Sequence, residues 1–257
     1  MRLTVVGSSG SVSGPESASS CYLVQAGAGG STTSVLLDLG SGAFGQLLRY
    51  LQPEELDAVL LSHLHADHVV DLAALDVYLR YAPGAPFEPI PVWGPEGTVA
   101  RVEQLSGEPG AGAEAYRVST WFEGEPVRIG PLEITPFSVW HPVPAFALRI
   151  TGPAEDGSGS RTLVYTGDTD TCDGVTAAAG GADLLLSEAA FQEPRDTIRG
   201  IHLTGKRAGE LATAAGVQRL VLTHIPPWTA RGAVRAEACT AYDGPVDVAC
   251  PGVTFSL

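Results

Sequence analysis

Residues 58–71 read AVLLSHLHADHVVD, and no other stretch of the chain carries as much structural information. The stretch opens with apolar residues of the kind found in buried strands and then places three histidines and one aspartate within six residues. In an extended segment residues i and i+2 point the same way, so His63 and His65 can bind one ion. Asp67 and His68 follow where the chain turns into a helix and can face a second ion. Imidazole and carboxylate are ligands that zinc and similar divalent metals prefer.

Each of these ion sites needs further ligands from elsewhere in the chain. Three single residues of the right type follow predicted strands: His141 after Leu132–Val139, Asp168 after Thr162–Thr166, and His224 after Arg219–Thr223. A structural zinc site is usually closed, four-coordinate and often contains cysteine, whereas this set consists of histidine and aspartate alone. The set therefore indicates two ions with an open coordination position, as in catalytic dinuclear centres.

The other periodic segments alternate between strand and helix. Short apolar or alternating runs predict strands at Leu3–Val6, Tyr22–Gln25, Ser34–Asp38, Ala58–Leu61 and Leu184–Leu186. Helices are predicted by apolar spacing at Phe44–Leu51 and Leu72–Leu79, and by an N-cap at Thr204 followed by a helix to Ala215 and a stop at Gly216. Residues 106–115 are rich in glycine and predict a flexible loop. The alternation is typical of an α/β protein.

The composition restricts the class of protein further. The chain has 257 residues, 44% of them apolar and 17% charged, so it can bury a large core and is not disordered. We expect one domain spanning residues 1–257. No apolar run reaches the ~18 residues that cross a bilayer, and the apolar stretch at the N-terminus is too short for a signal peptide. We therefore expect a cytoplasmic protein without a membrane partner, whose four cysteines are reduced thiols.

The charge balance is strongly acidic. Lys and Arg together number 15 against 29 Asp and Glu, which gives a net charge of −14. Nucleic-acid polymers are bound mainly by Lys and Arg contacts to phosphate, so this balance argues against a large nucleic-acid substrate. A small anion held by metal is less affected, because surface charge is screened within about 8 Å at physiological salt.

The order HxHxDH, then one His, one Asp and one late His, resembles the metallo-β-lactamase fold over nearly the whole chain. The resemblance implies a four-layer αββα sandwich with a dinuclear metal site at one edge. It also implies a role for each candidate ligand: His63, His65 and His141 for the first metal, Asp67, His68 and His224 for the second, and Asp168 as a bridge. The ligand types favour two Zn²⁺ ions, with Mn²⁺ as the alternative.

Two short segments, Ser187-Glu188-Ala189 and His202-Leu203-Thr204, are similar to segments of the tRNA 3′-processing ribonucleases (RNase Z). The resemblance implies that His202, oriented by Glu188, assists the departing oxygen when the P–O bond breaks. RNase Z enzymes carry a Gly/Pro-rich RNA-binding arm between the third His and the bridging Asp. The interval from His141 to Asp168 holds only TGPAEDGSGSR as spare loop. A large RNA substrate is therefore not expected.

Four stretches are similar to the actinobacterial cyclic-nucleotide phosphodiesterases of this superfamily: RLTVVGSSGSVSGP at 2–15, LLSHLHADHVVDL at 60–72, YTGDTDTCD at 165–173 and LVLTHIPPWTAR at 220–231. That resemblance implies hydrolysis of 3′,5′-cyclic AMP to the 5′-monophosphate, and a homodimer. In the implied mechanism a hydroxide bridging two metals, oriented by Asp67, attacks phosphorus in line with the departing 3′-oxygen. The expected partner is therefore a small cyclic nucleotide.

Substrate contacts are expected at two kinds of position. Ser9 and Ser11 lie in the turn after the first predicted strand, where amides and hydroxyls can meet a phosphate. Phe191 and Trp228 can stack on a base, which contributes roughly 1–3 kcal/mol. Three alternatives stay open: an RNase Z-type RNA endonuclease, a lactonase or glyoxalase II-like ester hydrolase on the same fold, and a sensor that binds without turnover.

Overall fold

The computed structural model describes residues 1–28, 30–107, 110 and 112–257. Its strands are β1 (Arg2–Gly7), β2 (Cys21–Ala28), β3 (Ser31–Leu37), β4 (Ala58–Leu60), β5 (Ile90–Gly94), β6 (Tyr116–Thr120), β7 (Val127–Ile129), β8 (Leu132–Ser138), β9 (Phe146–Pro153), β10 (Ser160–Tyr165), β11 (Leu184–Glu188), β12 (Leu220–Thr223), β13 (Val246–Val248) and β14 (Thr254–Ser256). Its α-helices are α1 (Ala43–Leu47), α2 (Ala66–Val69), α3 (Leu72–Tyr81), α4 (Thr98–Ser106), α5 (Gly112–Ala115), α6 (Asp173–Ala179), α7 (Gly205–Ala215) and α8 (Arg231–Ala238).

The strands form two sheets that mirror each other in construction. One sheet has the order β14-β1-β2-β3-β4-β5-β6 and the other has the order β13-β12-β11-β10-β9-β8-β7. In each sheet one half is antiparallel, and the other half, β3 to β6 or β10 to β13, is parallel. The carboxyl ends of parallel strands meet at one edge, where α/β proteins build their sites.

Side chains alternate between two cores along the central strands, because successive residues of a strand point to opposite faces. Val35 and Leu37 of β3 join a core that contains residues of both sheets, whereas Leu36 packs with helices α1 and α3. In the second sheet Leu185 packs with helices α6 to α8, while its neighbours lie in the shared core. Helices therefore cover the outer face of each sheet, which confirms the predicted αββα sandwich.

The predicted elements differ from the observed ones mainly in their ends. Helix α7 begins after Thr204, whose Oγ1 accepts from Arg207 N, and ends at Gly216 with φ +63°, as predicted. The predicted length of helix α1 is wrong, because the helix was expected to extend to Leu51 and ends at Leu47. Leu51 is nevertheless buried in the same core. The apolar spacing there indicated which side chains are buried and not how far the helix extends.

The predicted loop at 106–115 is partly helical. Residues 112–115 form α5, whereas residues 108, 109 and 111 lie outside the described residues. Across the described ranges, no helix combines the length and the apolar composition required to cross a bilayer.

Candidate active site

The candidate residues converge because each follows the carboxyl end of a strand. The positions are His63 after β4, His141 after β8, Asp168 after β10, Glu188 at the end of β11, and His224 after β12. Helix α2 begins directly after His65 and carries Asp67 and His68. Both sheets therefore contribute to one cluster at a shared edge.

The first group of potential metal ligands comprises His63, His65, His141 and Asp168, whose ligand atoms lie within 4.8 Å of one another. Nδ1 of His65 lies 3.1 Å from Nε2 of His63 and 3.1 Å from Nε2 of His141. Tetrahedral ligands at about 2.0–2.1 Å from zinc are about 3.3 Å apart. Three imidazole nitrogens at this spacing therefore fit one small divalent ion.

The second group comprises Asp67, His68, Asp168 and His224. Nε2 of His224 lies 3.2 Å from Oδ2 of Asp168, and Nε2 of His68 lies 3.3 Å from its Oδ1. Within the described chain, His68 Nε2, His224 Nε2 and Asp168 Oδ1 are buried without a hydrogen-bond partner. Such atoms are costly unless something satisfies them, and a shared cation satisfies all three. Asp168 belongs to both groups, which is the position that a bridging carboxylate requires.

Four of the histidines are fixed through their other ring nitrogen. The Nδ1 partners are Ser62 Oγ for His63 (3.1 Å), Asp38 Oδ2 for His68 (2.7 Å), the Ile201 carbonyl for His141 (2.9 Å) and Ser20 Oγ for His224 (2.9 Å). A partner at Nδ1 sets the tautomer and aims the Nε2 lone pair into the cluster. This outer layer of contacts is the usual support of metal-binding histidines, and it strengthens the fit of the cluster to metal.

Asp38 is a functional candidate that the sequence analysis missed. Its Oδ2 accepts hydrogen bonds from His68 Nδ1, Ser62 Oγ and Tyr165 Oη, and its Oδ1 accepts from the Ser62 backbone N–H. The carboxylate is fully buried and therefore depends on these donors. Its position directly after β3 is the same signal that singled out the residues after other strands.

Backbone strain is concentrated at the site. Among the described residues other than glycine, positive φ values occur at Ser11 (61°), Asp38 (58°) and His224 (54°). This left-handed region costs free energy for residues with a Cβ atom and marks functional positions. At Gly10 a Cβ atom would meet the His224 carbonyl oxygen at 2.1 Å, so only glycine allows the first loop to approach His224 this closely.

Burial and neighbouring charges prepare the cluster for cations. Burial lowers the pKa of His63 and of His224. Burial alone would raise the pKa of Asp168, but the charges of His224 and His68 outweigh it and hold that pKa well below its usual range. At His68 burial lowers the pKa, whereas Asp168 and Asp38 together raise it well above the ordinary value. Protons and a metal therefore compete for His68 Nε2.

The Glu188–His202 pair stands beside both groups. Oε1 of the buried Glu188 accepts from His202 Nδ1 at 2.9 Å and from Thr169 N, and its Oε2 accepts from Ala190 N. His202 Nδ1 is 3.9 Å from Oδ2 of Asp168. Burial opposes protonation of His202, but Glu188 outweighs it and raises the pKa to about 9. The predicted proximity of this pair to the cluster agrees with the geometry.

Asp170 fixes the loop that carries His202, and sequence analysis missed this role. Its fully buried carboxylate accepts from Arg199 Nε, the Gly200 N–H and an Arg207 guanidinium nitrogen. The indole of Trp140 lies against Gly200, where a Cβ atom would meet its ring at 2.9 Å. The second aspartate of the GDTD segment was the available signal, because it stands two residues beyond the predicted bridging residue.

A cleft of about 340 Å³ opens beside His202. Three predicted substrate contacts, Ser11, Phe191 and Trp228, line it. The Phe191 ring meets His202 edge-on at 5.0 Å, and Trp228 is 62% exposed. Ser9 is not brought to this cleft, because it is buried and its Oγ donates to the Val12 carbonyl.

Comparison with known proteins agrees with this geometry. The family model of the beta-lactamase superfamily domain matches residues 33–225. An uncharacterized protein of Mycobacterium leprae is 43% identical over the whole of this chain and 89% of its own. YhfI, a probable metallo-hydrolase of Bacillus subtilis, is 33% identical over 99% of both chains, and its crystal structure gives a TM-score of 0.85 at 31% identity with 99% of both chains covered. A ribonuclease Z of Halorubrum lacusprofundi is 30% identical over 95% of this chain and 93% of its own.

Fold and site together define a hydrolase that works with metal. The chain belongs to the beta-lactamase superfamily and is one of its metallo-hydrolases. The ribonuclease Z relative counts against the expectation, drawn from net charge, that a large nucleic acid is excluded as a partner.

Proposed function

We propose that the protein is a dinuclear metal-dependent phosphodiesterase that hydrolyses 3′,5′-cyclic nucleotides, cyclic AMP among them, to 5′-nucleoside monophosphates. The observation that carries the proposal is the Glu188–His202 pair next to Asp168. Cleavage of a phosphodiester releases an alkoxide, which needs a proton at the moment of bond breaking. An imidazole oriented by a carboxylate beside the cluster meets that need.

Two divalent ions, Zn²⁺ with Mn²⁺ as the alternative, fit the two groups of ligand atoms. The proposed ligands are His63, His65 and His141 on one side, Asp67, His68 and His224 on the other, and Asp168 between them. When bound, such ions supply positive charge for the phosphate oxygens and lower the pKa of water towards about 7.

The protein's own groups then act at defined atoms. Asp67 is partly exposed, with Oδ2 at 3.5 Å from His68 Nε2 and 3.6 Å from His224 Nε2, so it can orient the attacking water while it binds metal. His202 Nδ1 is engaged with Glu188, which leaves Nε2 free to carry a proton to the leaving 3′-oxygen. Asp67, His202 and Glu188 are therefore the proposed catalytic group.

A small substrate suits both the cleft and the charge. The 340 Å³ cleft lies at the lower end of the range for small-molecule sites and has room for a nucleoside. Phe191 and Trp228 offer aromatic faces to a base, and Ser11 lies at the rim. The net charge of −14 disfavours a long polyanion, while a single phosphate can be held by metal.

The main alternative is an RNA endonuclease, which the ribonuclease Z relative favours. The chain between His141 and Asp168 supports the small substrate instead. Most of it forms strands β9 and β10, which pair with each other and are joined by a short connection at 154–159. That interval therefore contributes no projecting arm that could grip RNA.

An ester hydrolase on the same fold is the second alternative. A thioester releases a thiolate, whose thiol has a pKa of about 8.5, so it can leave without an acid at the position of His202. The buried Glu188 would then be maintained with three hydrogen-bond donors and no role in the reaction. The geometry favours the phosphodiester.

A panel of three substrates tests the proposal. Metal-replete protein is given 3′,5′-cyclic AMP, a precursor tRNA with a 3′ trailer, and an acyl homoserine lactone, each with and without excess EDTA. We expect EDTA-sensitive turnover of cyclic AMP at least tenfold faster per enzyme than cleavage of the other two. Faster cleavage of the tRNA or the lactone would overturn the cyclic-nucleotide assignment and name its replacement.

A further inference from the structure

The cleft beside His202 has a polar wall that the proposed function leaves without a role. Besides the aromatic residues, Arg195 and Asp196 line it. They lie on the loop between β11 and α7, which also carries Phe191 and His202. Both side chains remain partly accessible, at 41% and 22%.

The two charged residues form a fixed pair. Oδ2 of Asp196 accepts from Arg195 Nε at 2.8 Å, from Arg195 Nη2 at 2.6 Å and from the Gln192 N–H at 2.9 Å. Arg195 Nη2 also donates to Thr229 Oγ1, on the loop that carries Trp228. The pair therefore joins the two loops that form the walls of the cleft.

One carboxylate oxygen of Asp196, Oδ1, is not used by this pair. Among the described residues Oδ2 of Asp196 takes all three hydrogen bonds, and Oδ1 takes none. The hydrogen bonds from Arg195 lower the pKa of Asp196, so the carboxylate is ionised at neutral pH. A free carboxylate oxygen accepts hydrogen bonds and cannot donate one.

The charges and hydrogen-bonding groups of this wall determine which part of a nucleotide substrate can lie against it. The Arg195–Asp196 pair carries no net charge and offers a phosphate little attraction, whereas the cluster beside His202 attracts a phosphate when metal is bound. A neutral ring that carries an amino group is attracted, because its N–H groups can donate to Oδ1. A ring with a carbonyl oxygen at the same place meets another acceptor and is penalised.

We propose that the cleft lined by Phe191, Trp228, Arg195 and Asp196 is a nucleobase subsite that selects bases carrying an exocyclic amino group, with Asp196 as the specificity-determining residue. This inference rests on the phosphodiesterase function proposed above and names its substrate class. The base lies between the aromatic side chains, and its amino group donates to Asp196. The phosphate then reaches the cluster past His202.

Adenosine and inosine provide the matched probes, because they differ at the amino group that Asp196 would read. Saturation-transfer NMR on metal-replete protein measures binding of each nucleoside, and neither nucleoside contains a phosphodiester that could be hydrolysed. We expect signal transfer to adenosine at least fivefold stronger than to inosine in the wild type. Asp196→Asn should bring the ratio close to one, since an amide can either donate or accept. Asp243→Asn, an exposed carboxylate on another loop, should keep the wild-type ratio.

Kinetics on metal-replete protein separates the subsite from the chemistry. For wild type we expect kcat/KM for cyclic AMP to exceed that for cyclic IMP at least tenfold, and Asp196→Asn to remove most of this preference. Hydrolysis of bis(p-nitrophenyl) phosphate, which has no amino group, measures any general loss of activity in Asp196→Asn, and the base preferences are compared after correction for that loss.

The outcomes distinguish the two proposals. Equal transfer to adenosine and inosine in the wild type, or an unchanged ratio in Asp196→Asn, overturns the subsite even if cyclic AMP is hydrolysed. A selective adenosine signal that depends on Asp196, without hydrolysis of any cyclic nucleotide, overturns the phosphodiesterase function and leaves the base-binding cleft standing.

Discussion

The histidine cluster and the cleft wall both adjoin His202 and are built in opposite ways. In the cluster, His63, His68 and His224 are buried, and each has a partner at Nδ1. In the wall, Trp228 and Arg195 are well exposed and come from two loops. A rigid, largely buried cluster suits a fixed chemical step, and an accessible wall suits the choice of substrate. Changes in the cluster should therefore abolish the reaction, and changes in the wall should redirect it.

The largest loss of metal binding and activity is expected from a change at Asp168, which belongs to both ligand groups. Asp168→Ala should reduce bound metal below one ion per chain and reduce hydrolysis of every phosphodiester to the level of buffer. Elemental analysis and a substrate panel measure the two effects. Asp243→Asn serves as the folded control. Full metal content in the Asp168→Ala protein would contradict the shared-ligand geometry.

A smaller loss is expected at Asp38, which touches no substrate and supports His68 and Ser62. Asp38→Asn should weaken metal binding about 10–100-fold, the usual effect of changing the outer partner of a metal-binding histidine. Tyr165→Phe removes only one of the donors to Asp38 and should have a lesser effect. Competition with a chromogenic chelator measures both. Equal affinity in Asp38→Asn and wild type would show that the outer layer is dispensable.

The smallest effect on the reaction is expected at Asp170, which fixes the loop of His202. Loss of the charge leaves the Arg207 guanidinium poorly paired, so Asp170→Asn should lower the free energy of unfolding by about 3–5 kcal/mol. Chemical denaturation at pH 7 measures this change in stability. The loss of kcat for cyclic AMP should be smaller than in the Asp168 and Asp38 variants. An unchanged unfolding free energy would contradict the role of Asp170 as an anchor.

The stability contribution of Asp170 should also depend on pH. Burial alone would raise the pKa of Asp170, but hydrogen bonds from Arg199 and from Gly200 N lower it to about 2. A carboxyl group with a depressed pKa stabilises the fold fully above its unfolded pKa of about 4, and this contribution is lost as the pH falls towards 2. The wild type should therefore lose its advantage over Asp170→Asn in that window. A constant difference between pH 5 and pH 2 would contradict the assignment.

Sequence alone predicted the parts of the site that obey a local rule. The cap and stop of α7 at Thr204 and Gly216 were predicted correctly because they depend on nearby residues, whereas the αββα sandwich was predicted from the family resemblance. Asp38 and Asp170 were missed, since each acquires its role only from partners far along the chain. The turn at Ser9 was placed correctly, but only the structure shows its hydroxyl donating to Val12.

The role of His202 is tested most directly by the dependence of its loss on the leaving group. The measurement is kcat of wild type and His202→Asn, at equal metal content, for 3′,5′-cyclic AMP and for bis(p-nitrophenyl) phosphate. An alkoxide needs a proton and a nitrophenolate does not, so we predict a loss of about 10²–10⁴-fold for cyclic AMP and less than tenfold for the aryl ester. Equal losses on the two substrates would contradict general-acid action by His202.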